Sequence, residues 1–167
     1  MKERNLAVEI LRKLLAEQVS LYRRTNLVKS EKFSEKLLRA MKAYINGMIS
    51  NEEVIAELMK IASDMASAHA EGDVLGFNAE ELAFYDALTR PEAIKDFYNN
   101  EELVAMTREL TEMLKKNRVI DWQKKESVRA GMRRMVKKLL KKYKYPPEGM
   151  GDAVTTVIGQ CELWAGA

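Results

Sequence analysis

Hydrophobic and polar positions recur at three- and four-residue steps along nearly the whole of this sequence. That period is typical of amphipathic helices, and we find no sustained alternation of the kind that predicts strands. The predicted helices cover about residues 4–24, 30–48, 51–71, 78–88, 91–98, 100–116, 121–143 and 152–164, of which 91–98 is a short turn. We therefore predict an all-α protein that folds as a single irregular bundle of about six or seven helices.

The stretch LGFNAEELAFYDAL, residues 75–88, differs from the other predicted helices because it is apolar on almost every side after Glu81. A helix that is apolar all round belongs in a protein interior. Asn78 is a favourable N-cap, and Glu81 stands at the position from which a capping box reaches back. We predict a central buried helix over about 78–88, around which the longer helices pack.

Asp86 interrupts that apolar surface, and a buried carboxylate is costly unless it is paired or hydrogen-bonded. Arg129 lies at the edge of the apolar stripe of helix 121–143 and can bond a carboxylate with two N–H groups, so it is the candidate partner. Two alternatives stay open. Asp86 could point outward through a gap, and Asp121 competes for Arg129, although its position predicts an N-cap.

The periodicity also predicts which side chains of the first two helices face inward and where helices end. The inward positions are Leu6, Ile10, Leu14, Leu15, Val19 and Tyr22, followed by Phe33, Leu37, Leu38, Met41, Tyr44, Ile45 and Met48. Gly72 is predicted to follow the end of the third helix, where glycine is favoured. Pro146 and Pro147 end helix 121–143, and three glycines weaken helix 152–164.

The charges nearly balance over the chain, with 28 Lys and Arg against 25 Asp and Glu, but they are unevenly distributed. Helix 121–143 and the residue after it concentrate cations opposite the apolar stripe. The candidate contacts to DNA or another anion are Arg133, Arg134, Lys137, Lys138, Lys141, Lys142 and Lys144. This face either binds a polyanion such as nucleic-acid phosphate or an acidic protein surface, or it is a solvated face screened by acids of neighbouring helices.

Composition narrows the possible chemistry further. Cys161 is the only cysteine and His69 the only histidine, which excludes an internal disulfide, a cysteine-based metal site and a histidine cluster. No phosphate loop, HExxH or GxSxG motif occurs. We therefore predict no catalytic residue, no metal ligand and no small-molecule substrate. No apolar run is long enough to span a membrane, and the N-terminus lacks signal and transit features, so we expect a cytoplasmic protein.

Five segments, in this order, resemble one known family. They are KERNLAVEILRKLL near the start, KFSEKLL at 32–38, LGFNAEELAFYDAL at 75–88, DWQKKESVRAGMRRMVKKLLKKYKYPPE at 121–148, and Gln160. Together they are similar to the C-terminal helical region of the motor and endonuclease subunit of Type I restriction–modification enzymes. The resemblance covers essentially the whole chain, residues 1–167, and implies one helical domain that is a C-terminal fragment of a longer subunit.

The resemblance also implies a function. In that family, nuclease and ATP-driven motor domains lie upstream, so ATP and Mg are expected there and no cofactor is expected in this fragment. The C-terminal region is expected to be a non-catalytic assembly domain that docks the subunit onto the methyltransferase and specificity subunits. The alternative is a DNA-contacting domain that holds duplex DNA with the basic face of residues 129–144.

Overall fold

The computed structural model describes residues 2–91, 93–117 and 126–165, and all regular secondary structure within these ranges is helical. The predicted all-α class is confirmed. The helices described are α1 (Lys2–Tyr22), α2 (Leu27–Ile45), α3 (Asn51–Leu75), α4 (Ala79–Leu88), α5 (Ala93–Phe97), α6 (Asn100–Asn117), α7 (Glu126–Lys142) and α8 (Pro147–Ala165). The predicted N-cap Asp121 lies outside the described residues.

The helices form two compact units. Unit 1 contains the described residues up to Arg23 together with Lys29–Gly76, and unit 2 contains Arg24–Val28 together with the described residues from Phe77 onward. The short segment Arg24–Val28, which follows α1 and includes the first two residues of α2, therefore belongs to unit 2. The single domain over 1–167 stays a prediction.

Unit 1 is built on the packing of α1 against α3. The prediction for α1 was partly wrong: Leu15, Val19 and Tyr22 are buried, but Leu6, Ile10 and Leu14 are exposed, and Val8 takes an inward position that was not predicted. The reason is that α1 carries apolar residues on two opposite faces, and periodicity cannot tell which of them packs against the rest of the protein.

The second helix shows the same effect more weakly. Phe33 and Met41 are buried as predicted, whereas Leu38, Ile45 and Met48 are exposed. The C-terminal part of α2 and the residues that follow it therefore present apolar side chains that the rest of unit 1 does not cover.

The third helix begins as predicted and ends later. Ser50 accepts a hydrogen bond from the Glu53 amide, and the Glu53 carboxylate accepts one from the Ser50 amide, which forms a capping box. The stop is Gly76, with φ of 74°, and not Gly72. Gly72 is buried inside the helix, where a residue without a side chain permits close packing, so the chain continues for another turn.

Unit 2 is organised around α4, as predicted. Asn78 and Glu81 form the expected capping box, and every residue from Ala83 to Leu88 is buried. The helix packs against α6 and α8, and the Phe84 ring meets the edge of Trp164 at 5.1 Å between centroids. Residues 79–88 are thus the core helix of this unit.

The segment Arg24–Val28 is fixed to the rest of unit 2 by partly buried hydrogen bonds. The Leu27 amide donates to Oε1 of Gln160 at 2.7 Å, and Nε2 of Gln160 donates to the Thr25 carbonyl at 3.0 Å. Gln160 is fully buried, so both ends of its amide are used to satisfy backbone groups that form no helical bond. One side chain of α8 therefore holds a segment distant in sequence.

The last helix is longer than predicted. Pro147 occupies its first position, where the missing N–H and fixed φ of proline suit a helix start, so α8 begins there and not near residue 152. The glycines at 149, 151 and 159 are accommodated inside it.

Candidate functional site

Helix α7 separates apolar and cationic side chains. Met132, Val136, Leu139 and Leu140 are buried, and α7 packs against α6 and α8. The apolar residues recur at helical spacing, so the residues between them are directed to solvent. This local pattern explains why Arg133, Arg134, Lys137 and Lys141 share one side of α7.

Lys144 ends α7 in the left-handed conformation, with φ of 59°. The Tyr145 amide donates to the Leu140 carbonyl at 2.9 Å, and the Lys144 amide donates to the Lys141 carbonyl at 3.0 Å. These two bonds form a Schellman motif, whose left-handed position is usually glycine because other residues are strained there. The turn directs the chain into Pro147 and α8.

A groove of about 820 Å³ lies between the C-terminal half of α7 and the first turns of α8. Five cationic side chains line it: Arg133, Arg134, Lys137, Lys141 and Lys144. We call these residues the groove cations. Five of the seven predicted contact residues therefore line one concave surface, which a helical projection does not show. Their contact with DNA or another anion stays a prediction.

The remaining lining of the basic groove is apolar. It consists of Tyr145, Pro147, Met150, Gly151 and Val154. Tyr145 and Met150 are buried, and the Tyr145 hydroxyl donates to the Leu88 carbonyl at 2.7 Å, which fixes the ring. Burial, followed by the nearby Tyr98 and Asp152 charges, raises the pKa of Tyr145 well above its usual range. The groove therefore has a rigid floor and a charged rim.

The groove cations differ in how they are neutralised. Arg133 lies 3.3 Å from the Glu126 carboxylate. Within residues 2–91, 93–117 and 126–165, no acid forms an ion pair with Arg134, Lys137, Lys141 or Lys144. Four adjacent cations without acid partners among the described residues give this surface a positive potential that can attract an anion.

Two of the predicted contact residues lie elsewhere. Lys142 pairs with α6, where its Nζ atom lies 2.6 Å from the Glu109 carboxylate, so it does not line the groove, and its contact with an anion stays a prediction. Lys138 lines a smaller cavity with Val128, Met135 and Arg134, and of these residues only Arg134 also lines the groove. Residues 138 and 142 are directed away from the groove because they are one position further round the helix than 137 and 141.

Glu109 also accepts a short hydrogen bond from the Tyr143 hydroxyl. The hydrogen bond from Lys142, followed by that from Tyr143, lowers the pKa of Glu109 below its ordinary value. The same carboxylate raises the pKa of Tyr143 to about 12, with burial as the second cause. This cluster joins the end of α7 to α6 and leaves the groove cations out of the acid network.

The predicted pair between Asp86 and Arg129 is corrected by the structure. Asp86 is buried as expected, but its carboxylate accepts a hydrogen bond from the side-chain amide of Asn26 at 2.7 Å. Arg129 pairs with Glu162 at 2.6 Å and with Glu126 at 3.7 Å. Arg129 is on the edge of α7 that faces α8, so an acid of α8 reaches it.

Sequence reasoning did not identify the groove floor. Tyr145 was passed over as a residue after the helix, and Met150 and Gly151 lay before the predicted start of α8. The available signal was the pair Pro146–Pro147, because proline at a first helical position indicates a new helix immediately after the basic one. The first turns of that helix supply Met150 and Gly151 to the groove.

Comparison with known proteins identifies the family. The family described as Type I restriction enzyme HindI endonuclease subunit-like, C-terminal, matches residues 1–167. This chain belongs to that family. It is 40% identical over 159 residues to the Type I restriction enzyme HindI endonuclease subunit of Haemophilus influenzae, with 95% of this chain and 15% of that protein covered.

A second relative is more distant. The "Putative type I restriction enzyme MjaIXP endonuclease subunit" of Methanocaldococcus jannaschii is 30% identical over 145 residues, which cover 86% of this chain and 13% of that protein. The chain thus spans about a seventh of the length of these relatives. No solved structure matches it. The predicted family is confirmed, and none of the helices described for this family member is long and apolar enough to cross a membrane.

Proposed function

We propose that this chain is the assembly domain through which a Type I restriction endonuclease subunit docks onto its methyltransferase–specificity core in the cytoplasm. In this proposal the fragment itself is non-catalytic, and ATP and Mg act in other parts of the subunit. The family membership supplies the context of a multi-subunit enzyme. The observation that carries the proposal is an exposed apolar surface on α1.

That surface, the outer stripe of α1, consists of Leu6, Ile10, Leu14 and Leu21, whose exposed fractions are 62%, 51%, 54% and 59%. At helical spacing these four positions fall within about 80° of one another. They lie opposite the buried face that contains Val8, Leu15 and Val19. A contiguous apolar stripe exposed on a folded unit is a typical protein–protein contact.

The test is binding of the chain to the purified methyltransferase–specificity core. Ile10→Ser combined with Leu14→Ser should weaken binding strongly while leaving thermal stability nearly unchanged, because both side chains are already exposed. Val74→Ser is the matched control, since Val74 is exposed in the same unit but lies on α3. Undiminished binding by the double variant would reject the outer stripe as the docking surface.

The second candidate function is contact with duplex DNA, and the groove cations favour it. A DNA-contacting domain should lose affinity steeply with salt, with a slope of about −0.9 per phosphate neutralised. Docking through an apolar stripe should depend only weakly on salt. Titration of the chain with duplex DNA at low and moderate salt separates the two. The control changes Arg133, Arg134, Lys137, Lys138 and Lys141 together to Gln.

A further inference from the structure

We propose that the basic groove binds an acidic protein segment that also inserts an apolar side chain, and that this segment belongs to the methyltransferase–specificity core. The inference rests on the proposed docking function and assigns it a second contact. It is carried by the combination of charged rim and apolar floor within unit 2.

The cationic rim favours an anionic occupant. Arg134, Lys137, Lys141 and Lys144 line one groove and form no ion pair with any acid of the described ranges. The neighbouring acid Glu109 is committed to Lys142 and Tyr143 and does not neutralise them. Carboxylates of a partner would therefore gain several charge contacts without displacing an existing pair.

The floor distinguishes a protein segment from nucleic acid. Phosphate contacts need only cations and polar donors at a surface. They make no use of a concave floor built from Tyr145, Met150 and Val154. A volume of about 820 Å³ accommodates several side chains of a peptide, and an apolar side chain that enters it is removed from water. An acidic segment with an apolar anchor matches both features.

Two backbone features support a built groove. Lys144 keeps a strained left-handed conformation and presents its side chain to the groove. Gly151 lies within α8, where glycine is unfavourable, and a Cβ atom there would meet nothing within 4 Å. The absence of a side chain at residue 151 lets an occupant approach α8 closely.

The experiment measures binding of the chain to the core and to three probes. The probes are an acidic peptide that carries leucines, the same peptide with its leucines replaced by serine, and a duplex DNA oligonucleotide. Lys137→Gln/Lys141→Gln removes two groove cations. Lys138→Gln/Lys142→Gln is its control, because it removes the same charge from the same helix outside the groove. Gly151→Trp fills the floor and changes no charge.

We expect the leucine peptide to bind at least about tenfold more tightly than the serine peptide and to compete with the core. Lys137→Gln/Lys141→Gln should weaken the binding of both the leucine peptide and the methyltransferase–specificity core by about tenfold. The control pair should change neither affinity by more than about twofold. Gly151→Trp should block the leucine peptide, with circular dichroism confirming an intact fold.

The inference is overturned if both lysine pairs have equal effects, if the two peptides bind alike, or if Gly151→Trp leaves peptide binding unchanged. Duplex DNA that binds more tightly than either peptide and depends on Lys137 and Lys141 would also overturn it, in favour of nucleic acid. If the core binds and no groove variant matters, the groove inference fails alone. If the methyltransferase–specificity core does not bind the chain at all, the proposed docking function fails. Binding of the two peptides then still shows whether the groove takes an acidic segment with an apolar side chain.

Discussion

The Asn26 amide donates a hydrogen bond of 2.7 Å to the Asp86 carboxylate, and both residues are buried. The bond joins the segment Arg24–Val28 to the core helix α4 across sixty positions of sequence. A buried carboxylate is tolerated here because a fixed donor from a distant segment faces it.

Asn26→Ala should therefore destabilise the protein by about 1.5–3 kcal/mol, the range for a hydrogen bond to a charged group. Urea unfolding followed by circular dichroism measures it. Asn26→Asp sets a second acid beside Asp86 and should lower the free energy of unfolding further at neutral pH, where the two carboxylates repel each other. Part of that loss should be regained on acidification. A change below about 0.5 kcal/mol for Asn26→Ala would show that this bond does not stabilise the fold.

Gln160 makes a second prediction. Gln160→Leu keeps the approximate volume but removes the hydrogen bond that Gln160 accepts from the Leu27 amide and the one that it donates to the Thr25 carbonyl. Leaving the half-buried Leu27 amide unsatisfied costs about 1–3 kcal/mol, so we expect a loss of stability in that range by urea unfolding. Amide exchange at Leu27 should accelerate as well. The Thr25 carbonyl also accepts a hydrogen bond from the Trp164 indole N–H, so that carbonyl keeps one partner in the variant.

Two glycines of α8 should respond differently to alanine. Gly151→Ala places a methyl group in open space and should stabilise the helix by about 0.8–1 kcal/mol. At Gly159 the new Cβ would lie 3.2 Å from Cδ2 of Leu27. Gly159→Ala should stabilise the protein less than Gly151→Ala, because the Leu27 side chain must move to make room for the new methyl group. Melting temperatures of the two variants give the comparison, and a larger gain at 159 would contradict it.

Substitution of Lys144 tests whether its strained backbone lowers stability while its side chain contributes to binding. Lys144→Gly relieves a left-handed conformation and should stabilise the protein by about 1 kcal/mol. The same change removes a groove cation. A variant that melts higher yet binds the acidic leucine peptide less tightly is the expected result. Lys144→Asn, which tolerates the left-handed region and lacks the charge, separates strain from charge.

The Glu109 cluster predicts a pH dependence in two directions. Because the folded pKa of Glu109 is lowered, its contribution to stability is present above its unfolded pKa and is lost as pH falls through the folded pKa. Because the pKa of Tyr143 is raised from 10.0 to about 12, its contribution is present below 10.0 and is lost as pH rises through about 12.

Alkaline titration of phenolate absorbance should therefore lose a component near pH 12 in Tyr143→Phe. Tyr98→Phe is the comparison variant, since the Tyr98 hydroxyl donates to the Tyr143 carbonyl and not to a carboxylate. A component lost near pH 10.0 instead of near pH 12 in Tyr143→Phe would contradict the hydrogen bond to Glu109.

The sequence by itself determined the helical class, the family and the features that depend on near neighbours. The capping boxes at Ser50 and Asn78 were predictable because each involves residues three positions apart. The burial of α4 was predictable because its residues are apolar on nearly every side, so any orientation buries them. The sharing of one face by the groove cations followed from helical spacing alone.

Only the tertiary structure decided between alternatives that are locally equivalent. Helix α1 has two apolar faces, and packing against α3 selected the one containing Val8 while the face containing Ile10 stayed exposed. Asn26, and not Arg129, faces Asp86 because the fold of unit 2 brings residues 24–28 against α4. The groove floor arises where α7 turns into α8. Local pattern fixes which residues can be buried, and long-range packing fixes which partner buries them.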